Sequence, residues 1–402
     1  MIERLPSLRN LHVFVSVADT GSVTRSADRL FRAQSAVTRS IKALEEELGV
    51  ELFERRARGM LLNDFGRIVQ MRARRVHGEL LMCCEDLATL RKTPAPNALV
   101  HVLLNEQRLQ TFVELTRHHH LASVAHLRGL SRAAVSMAIR QLEQHLKLKL
   151  FERSAKGLLP TDAGRALSFR VRRALGELRV IRQEIAATRG TMEGTVTIGA
   201  LPLARTVLLP KAIIALIERH PHVRIRTVES PYEALVAQLL SGDLDFIVGA
   251  LRPVRKTDEL ETEPLFVEPI TLVARRGHPL HGPGKTTKAA LIDARWALSR
   301  QGSPTRELLA HSFERMGLAP PMPLVETGDL ALLRGLLLHT DLITAISPQQ
   351  LKYEIDNGSL AALDFALDFT RREIGFTFRC NSVPSPIARL MCDEIRHQCT
   401  QL

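Results

Sequence analysis

The sequence predicts a multidomain chain in which two copies of an all-α unit precede a half of alternating strands and helices. The segment LFERRARGMLLNDFGR at 52–67 recurs as LFERSAKGLLPTDAGR at 150–165, an ungapped shift of 98 residues. A repeat that occurs only twice indicates a duplicated domain rather than a solenoid. Residues 1–193 hold 32 Lys and Arg against 20 Asp and Glu, whereas 194–402 hold 23 of each. A basic half beside a neutral half favours a polyanionic partner for the repeat.

Composition narrows the class of protein further. A chain of 402 residues has room for about two to four domains. Neither an apolar run of the roughly 18 residues that span a bilayer nor the apolar core of a signal peptide occurs, so we expect a cytoplasmic protein without a membrane partner. The sequence has no glycine-rich nucleotide loop, nucleophile elbow or metal-ligand spacing of its five cysteines. We therefore expect no enzymatic activity, no cofactor and no metal.

The first copy has the pattern of a helix-turn-helix followed by a wing. A turn at 19–22, with Ser22 as N-cap, separates a first helix from a short second helix at 23–31. Residues 34–48 form a third helix with one apolar face, and the wing tip that follows is basic through Arg55 and Arg58. The polar face of the third helix can bond base edges or phosphates in a major groove. Its residues are Gln34, Ser35, Thr38, Arg39 and Lys42.

The second copy keeps the apolar positions but changes the polar face. In the 98-residue register, Gln34 becomes Arg132, Ser35 becomes Ala133, Thr38 becomes Ser136 and Arg39 becomes Met137. The candidate DNA contacts of this copy are Arg132, Ser136, Arg140, and the wing residues Arg153 and Lys156. Two alternatives remain open: recognition of a different base sequence, or binding of the DNA backbone with little base recognition.

A long helix follows each wing. Its apolar residues alternate spacings of four and three, which indicates a coiled-coil seam. The seams consist of Val69, Ala73, Val76, Leu80, Cys83, Leu87 and Leu90, and of Leu167, Val171, Ala174, Leu178, Ile181 and Ile185. Pairing of the two seams within one chain is the simplest hypothesis, and pairing between chains is the alternative.

The neutral half alternates strands and helices. TVTIGA at 195–200 and VRIRTVE at 223–229 have the composition of strands, and LLPKAIIALIERHP at 208–221 that of a helix. This alternation indicates parallel α/β sheets.

The ordered string ADRLFRAQSAVTRSIKALEEELGVELFERRARGMLLNDFGR resembles the N-terminal winged helix-turn-helix of LysR-type transcriptional regulators. The later strings HPHV and GDLDFIVGAL resemble the effector domain of that family. The resemblance implies that Gln34, Ser35, Thr38 and Arg39 face DNA, that the wing arginines bind phosphate, and that the long helices are dimerising linkers. It also implies a two-lobed, periplasmic-binding-protein-like α/β domain. The second helix-turn-helix copy departs from a family that normally has one.

In such a domain the ligand lies between lobes, at strand ends and helix N-termini. Three segments are predicted to line this cleft: one after the first strand and two at helix starts, with Ser303 as an N-cap and Pro304 as the first helical residue. Ordinary helix capping is the alternative role for each polar residue. The candidate ligand contacts are Leu201, Pro202, Ser299, Arg300, Gln301, Gly302, Ser303, Thr305, Thr327 and Asp329.

The predicted organisation follows from these elements. The boundaries are 1–63 and 106–161 for the winged helix-turn-helix domains, 64–92 and 162–190 for the linker helices, 93–105 for the connector, 194–269 with 371–402 for effector lobe one, and 270–370 for lobe two. The predicted function is a sequence-specific DNA-binding transcriptional regulator whose promoter binding responds to a small-molecule effector, a sugar or a carboxylate. Further candidate partners are copies of the same chain in a homo-oligomer and RNA polymerase. The alternative is an architectural DNA-binding protein with a vestigial ligand domain.

Overall fold

The computed structural model describes residues 5–56, 59–91, 100–255 and 258–400. By its internal contacts the chain divides into two units, the first up to Glu193 with the segment Ser241–Asp243, and the second comprising the rest from Gly194.

The first unit contains the repeat, and each copy has three helices, a two-stranded hairpin and a long helix. Copy 1 consists of α1 (Leu8–Thr20), α2 (Val23–Leu30), α3 (Gln34–Leu48), β1 (Phe53–Arg56), β2 (Gly59–Leu62) and α4 (Asp64–Arg91). A short helix, α5 (Val100–Leu103), precedes copy 2. Copy 2 consists of α6 (Glu106–His118), α7 (Leu121–Arg128), α8 (Arg132–Leu146), β3 (Phe151–Ser154), β4 (Gly157–Pro160) and α9 (Asp162–Thr188).

Equivalent contacts build the two copies. One contact differs: Ser22 caps α2, as predicted, by accepting a hydrogen bond from a backbone N–H of the first turn, whereas the equivalent His120 gives α7 no side-chain cap. The Glu45 carboxylate accepts from the Leu52 N–H at 2.8 Å, and the Glu143 carboxylate accepts from the Leu150 N–H at 2.8 Å. Each bond fixes the segment between the third helix and the wing. Residues that are 98 positions apart in the sequence therefore make the same contact in the two copies.

Two glycines let each long helix begin against its wing. A Cβ at Gly66 would lie 2.1 Å from the Leu52 carbonyl oxygen, and one at Gly164 would lie 2.2 Å from that of Leu150. No side chain fits at such a distance, so glycine is needed at both positions for close backbone approach.

The long helices α4 and α9 pack against each other within the chain. All seam residues are buried in a core shared by both copies, except Leu90, which is 47 % exposed. The inclusion of Leu90 in the seam is therefore wrong, because it lies in the last turn of α4, beyond the packed stretch. The two seams pack on each other within the chain, as the intrachain hypothesis expects, and pairing between chains stays the alternative. The connector 93–105 falls partly outside the described residues.

The second unit contains two five-stranded sheets with helices packed on them. Its first part has β5 (Gly194–Ala200), α10 (Leu208–Arg219), β6 (Val223–Val228), α11 (Tyr232–Leu240), β7 (Phe246–Ala250) and β8 (Leu260–Glu268). Its middle has β9 (Thr271–Arg275), α12 (Lys288–Asp293), β10 (Arg295–Leu298), α13 (Pro304–Arg315), β11 (Pro323–Glu326), α14 (Leu330–His339), β12 (Leu342–Ile346), α15 (Lys352–Asp356) and β13 (Leu360–Ala362). It ends with β14 (Arg372–Arg379) and α16 (Pro386–Cys399).

The strand orders are β6-β5-β7-β14-β8 and β11-β10-β12-β9-β13. Both sheets are mixed, so the prediction of parallel sheets is wrong in part. Strands β5, β6 and β7 are parallel, as are β10, β11 and β12, but β14 and β9 run antiparallel to their neighbours. The exceptions are the strands that follow a passage from one sheet to the other, after Glu268 and after Ala362. The division into lobes 194–269 with 371–402 and 270–370 stays a proposal, as do the other domain boundaries.

Candidate nucleic-acid interface and effector site

The polar side chains predicted to contact DNA in copy 1 lie on one face of α3. The helix buries Val37, Ile41, Leu44 and Leu48 on its other side. The exposed set, which we call recognition face 1, is Gln34, Ser35, Thr38, Arg39 and Lys42. Amide, hydroxyl and guanidinium groups grouped in this way can bond both base edges and phosphates.

The wing of copy 1 is fixed to the turn between α1 and α2. The backbone N–H of Met60, in β2, donates to the carbonyl of Gly21 at 3.3 Å. The side chain of Arg55 and the whole of Arg58 lie outside the described residues, so their contact with phosphate stays a prediction.

Copy 2 presents a different surface from the equivalent helix. Helix α8 is capped by Ser131, whose hydroxyl accepts from the Ala134 N–H at 3.1 Å. We call its exposed surface recognition face 2. Arg132 and Arg140 are exposed there and Ser136 is half-buried, while Met137 is 58 % exposed. Relative to recognition face 1, a guanidinium replaces the amide of Gln34, a methyl group replaces the hydroxyl of Ser35, and a thioether replaces the guanidinium of Arg39.

The wing of copy 2 matches that of copy 1 in position. The Leu158 N–H donates to the His119 carbonyl at 2.8 Å, as Met60 does to Gly21. Arg153 and Lys156 are exposed at this hairpin. Their contact with DNA stays a prediction.

Phe31, which no sequence pattern singled out, lies between α2 and α3, the helix of recognition face 1. Its side chain is 96 % exposed, and its backbone is left-handed with φ 53°. The equivalent residue of copy 2 is Gly129, with φ 63°. A non-glycine residue in this conformation is strained, and strain of this kind is frequent at functional sites. The available signal was the contrast between Phe and Gly at one register position.

The segment 299–305 forms a capped helix start in the second unit. The Ser303 hydroxyl accepts from the Arg306 N–H at 3.3 Å and lies 2.8 Å from the Ser299 hydroxyl, so the predicted N-cap is confirmed. Gln301 and Gly302 form the exposed bend before it. Two hydroxyls and the first backbone N–H groups of α13 are therefore collected at one point, where an anion or a polyhydroxyl compound could bind.

The segment 327–329 lies next to it. The Thr327 N–H donates to the Leu298 carbonyl at 2.9 Å, and a Cβ at Gly328 would lie 3.9 Å from Nε of Arg300. Asp329 caps α14, and its Oδ1 accepts from the N–H groups of Ala331 and Leu332. The two segments thus adjoin, but one carboxylate oxygen of Asp329 is already engaged in capping.

The third segment follows β5 on the other sheet. The Leu201 N–H donates to the Val248 carbonyl at 3.0 Å, and a Cβ at Gly249 would lie 2.4 Å from the Cβ of Leu201. Pro202 is exposed and begins a single 3-10 turn that ends at Arg205. The hydrogen bond to Val248 holds Leu201 at the end of β5, and its contact with an effector stays a prediction.

Arg205 and Arg372 are two further cations of this region that the sequence analysis missed. The pKa of Arg205 is lowered, chiefly by desolvation, while the negative charges of Glu229 and Asp329 act in the opposite direction. Its electrostatic contact with Asp329 relates the loop after β5 to the segment 327–329. Arg372 donates to the Thr305 hydroxyl at 2.6 Å. These interactions join residues that are distant in sequence, so no local sequence pattern predicts them.

A buried acid faces Arg372. Glu268 is its partner in the β8–β14 register and is 7 % exposed. Burial raises the pKa of Glu268, against the effects of Ser347 and of the Arg372 charge. Burial lowers the pKa of Arg372 in turn. This ionisable pair lies where the chain passes between the two sheets.

Two kinds of feature were not found in the part of the chain that the structure describes, a metal-suited cluster and a membrane-spanning helix. Its His, Cys, Asp and Glu residues form no group of three or more suited to a metal ion. None of its helices combines the length and the apolar character that a membrane span requires.

Models of protein families match both units. The bacterial regulatory helix-turn-helix protein, lysR family, matches residues 8–67 and again 107–165. The LysR substrate binding domain matches residues 189–400. The two helix-turn-helix matches coincide with the two copies of the repeat.

Two regulators align with this chain over nearly their own full length. The HTH-type transcriptional regulator GalR from Pseudomonas putida is 44 % identical over 397 residues, which covers 99 % of this chain and 98 % of that protein. The HTH-type transcriptional regulator PcaQ from Agrobacterium fabrum is 28 % identical over 297 residues, covering 74 % of this chain and 95 % of its own.

Solved structures show the same fold. A full-length OxyR variant from Pseudomonas aeruginosa gives a TM-score of 0.56 at 22 % identity, covering 73 % of this chain and 94 % of that one. CbnR, a LysR family regulator solved in complex with its target DNA, gives 0.53 at 18 % identity, covering 73 % and 99 %.

Proposed function

The chain belongs to the LysR family of transcriptional regulators, and from that premise we propose that it recognises a promoter through both helix-turn-helix copies and that a small molecule between its effector lobes changes this binding. Family membership makes the chain a transcriptional regulator with a DNA-binding helix-turn-helix and an effector-binding domain, not an enzyme. The proposal concerns which residues contact DNA and the effector.

The observation that carries the DNA part is recognition face 1. Gln34 and Arg39 are both exposed on the polar face of a helix whose opposite side is buried. Gln bonds adenine and Arg bonds guanine in bidentate fashion in the major groove. The CbnR structure contains target DNA, and its similar fold supports the same mode of contact for this chain. Arg153, Lys156, Arg55 and Arg58 then bind phosphates beside the groove.

The effector part rests on the segments 200–202, 299–305 and 327–329. Hydroxyls of Ser299, Ser303 and Thr327 lie there with the guanidinium of Arg300. Such a lining suits a small carboxylate or a sugar, because both accept hydrogen bonds from cations and backbone N–H groups. Family membership supports a cytoplasmic location, a homo-oligomer and contact with RNA polymerase as further parts of the proposal.

The substitution Arg39→Ala tests the DNA part. We expect it to weaken binding to the selected operator by about 1–3 kcal/mol, the range for a good bidentate base contact, with a smaller effect on random DNA. Fluorescence anisotropy of the full chain at fixed salt measures both affinities. The control is Arg224→Ala, which removes an equally exposed arginine from β6.

Equal losses on operator and random DNA would contradict base recognition by Arg39. Salt-dependent binding of the wild-type chain without any sequence preference would favour the architectural alternative.

A further inference from the structure

The contacts between α4 and α9 repeat with the same 98-residue shift as the sequence. Arg72, on α4, donates to Glu177 at 2.8 Å and to Glu184 at 2.6 Å on α9. In return, Arg170, on α9, donates to Asp86 at 2.8 Å and to Glu79 at 3.4 Å on α4. The shift converts each α4 residue of this network into its α9 counterpart: Arg72 into Arg170, Glu79 into Glu177 and Asp86 into Glu184.

This reciprocity defines a two-fold relationship between the copies. Arg72, near the start of α4, bonds Glu184, near the end of α9. Likewise, Arg170, near the start of α9, bonds Asp86, near the end of α4. The helices are therefore antiparallel, and a half-turn exchanges one copy with the other. A second pair of contacts obeys the same rule, since Arg75 bonds Glu177 at 2.7 Å and Arg173 lies 3.8 Å from Glu79.

The network fixes this arrangement within the chain. The Arg72 side chain is fully buried, with Glu177 and Glu184 nearly so. Buried charges are tolerated only when paired in good geometry, so any shift of α4 along α9 would leave an unpaired charge. The apolar seams merge the two copies into one core around these ion pairs. The orientation of one recognition helix thus depends on the other.

The two recognition helices brought together in this way differ chemically. Recognition face 1 offers an amide, two hydroxyls and two cations, whereas recognition face 2 offers Arg132, Ser136, Met137 and Arg140. A pair of identical helices related by a half-turn would match a palindrome. A pair of different helices matches two unlike half-sites in inverted orientation.

We propose that a single chain of this protein is a covalently linked pseudo-dimer that recognises one asymmetric, two-part DNA site, with copy 2 reading the second half through Arg132, Met137 and Arg140. This inference rests on the proposed DNA-binding function. Arg132 and Arg140 favour guanine, and the apolar Met137 favours contact with the C5-methyl group of thymine. Each chain therefore supplies both halves of a recognition unit.

The test is selection of binding sites from a random duplex library by the full-length chain. We expect the wild-type chain to select two unlike half-sites in inverted orientation. A transplanted variant, Arg132→Gln, Ala133→Ser, Ser136→Thr, Met137→Arg and Arg140→Lys, gives copy 2 the side chains of recognition face 1. We expect that variant to select a palindrome in which the half-site of copy 1 appears twice.

Single substitutions show which copy recognises which half-site. They also test the inference without relying on the transplanted variant. Arg140→Ala should relax sequence preference only in one half of the wild-type site, and Arg39→Ala only in the other. A palindrome selected by the wild-type chain, or an unchanged second half with both the transplant and Arg140→Ala, would overturn the inference but leave the proposed function intact. No enriched sequence for the wild-type chain would instead contradict the proposed function itself.

Discussion

One pair of equivalent residues distinguishes the two copies by its backbone strain. Phe31 and Gly129 end α2 and α7 with the same left-handed backbone, but only glycine adopts it without strain. The Phe31 side chain is almost wholly exposed, so burial does not offset this strain.

We predict that Phe31→Gly stabilises copy 1 by about 1 kcal/mol, because the left-handed region costs an L-residue roughly that much. Gly129→Ala is the reciprocal variant. A Cβ at Gly129 would meet no atom within 4 Å, so only backbone strain would destabilise copy 2. Urea unfolding followed by circular dichroism measures both changes. Lower stability of Phe31→Gly would show that its ring makes a stabilising contact.

A group of three histidines lies between α1, α4 and α5. The ring of His12 lies 5.7 Å from that of His77 and 5.5 Å from that of His101. Burial, with the charges of His77 and His101, lowers the pKa of His12 to about 4. The pKa of His77 is also lowered, chiefly by burial, although Asp19 opposes the shift.

These shifts predict that acid destabilises the first unit. Between pH 6.5 and about 4, His12 is protonated in the unfolded chain but neutral in the folded one, so stability falls as pH falls through this window. His12→Gln, which copies Gln110 at the equivalent position of copy 2, should make stability less dependent on pH there. Thermal melts at pH 4.5 and pH 7.5 test it. An unchanged difference between the two melting temperatures would exclude His12 as a source of acid sensitivity.

At the scale of the element, periodic sequence patterns predicted helix positions well. Contacts between distant segments could not be predicted from the sequence. The third helix of copy 1 was predicted at 34–48, and α3 has those bounds, because its apolar stripe and flanking turn are local features. The cap at Ser303 is equally local. Leu90 continued the seam in sequence, but its burial depends on where the partner helix begins.

At the candidate effector site, too, local features were predicted from the sequence and long-range interactions were not. The three predicted segments are the ends of β5, β10 and β11, which a strand-helix pattern can locate. The contacts of Arg205 with Asp329 and of Arg372 with Thr305 arise only when the two sheets come together. The antiparallel strands β9 and β14 were missed for a similar reason, since strand direction depends on the path of the chain between sheets.

We predict that Ser303→Ala weakens the response of DNA binding to effector and leaves DNA binding itself intact. It removes a hydroxyl that caps α13 and contacts Ser299, at a stability cost of about 1 kcal/mol. Thr287→Ala is the matched control, because it removes an N-cap of the same kind from α12, outside the three segments. A fluorescence titration with candidate carboxylates and sugars, on each variant bound to operator, gives the comparison. Equal responses to effector in Ser303→Ala and in the wild-type chain would argue against effector binding by the segment 299–305.

At the scale of the whole molecule, the duplication changes how two DNA-recognition helices are brought together. The α4–α9 interface, with its buried ion pairs, lies within one chain. The proposed intrachain pairing predicts that the two helices do not separate on dilution and that the chain fixes their order along DNA. Contacts between further copies of the chain would add recognition units rather than complete one.

Mixing two defective chains tests this central claim most directly. One chain carries Arg39→Ala in copy 1 and the other carries Arg140→Ala in copy 2, and the two are co-expressed and purified together through different tags. If pairing is within the chain, every recognition unit keeps one defective half, and we expect the mixed oligomer to bind the operator no more tightly than either variant alone. If copy 1 of one chain pairs with copy 2 of another, some units have two intact halves. Recovery of wild-type affinity on mixing would therefore contradict intrachain pairing.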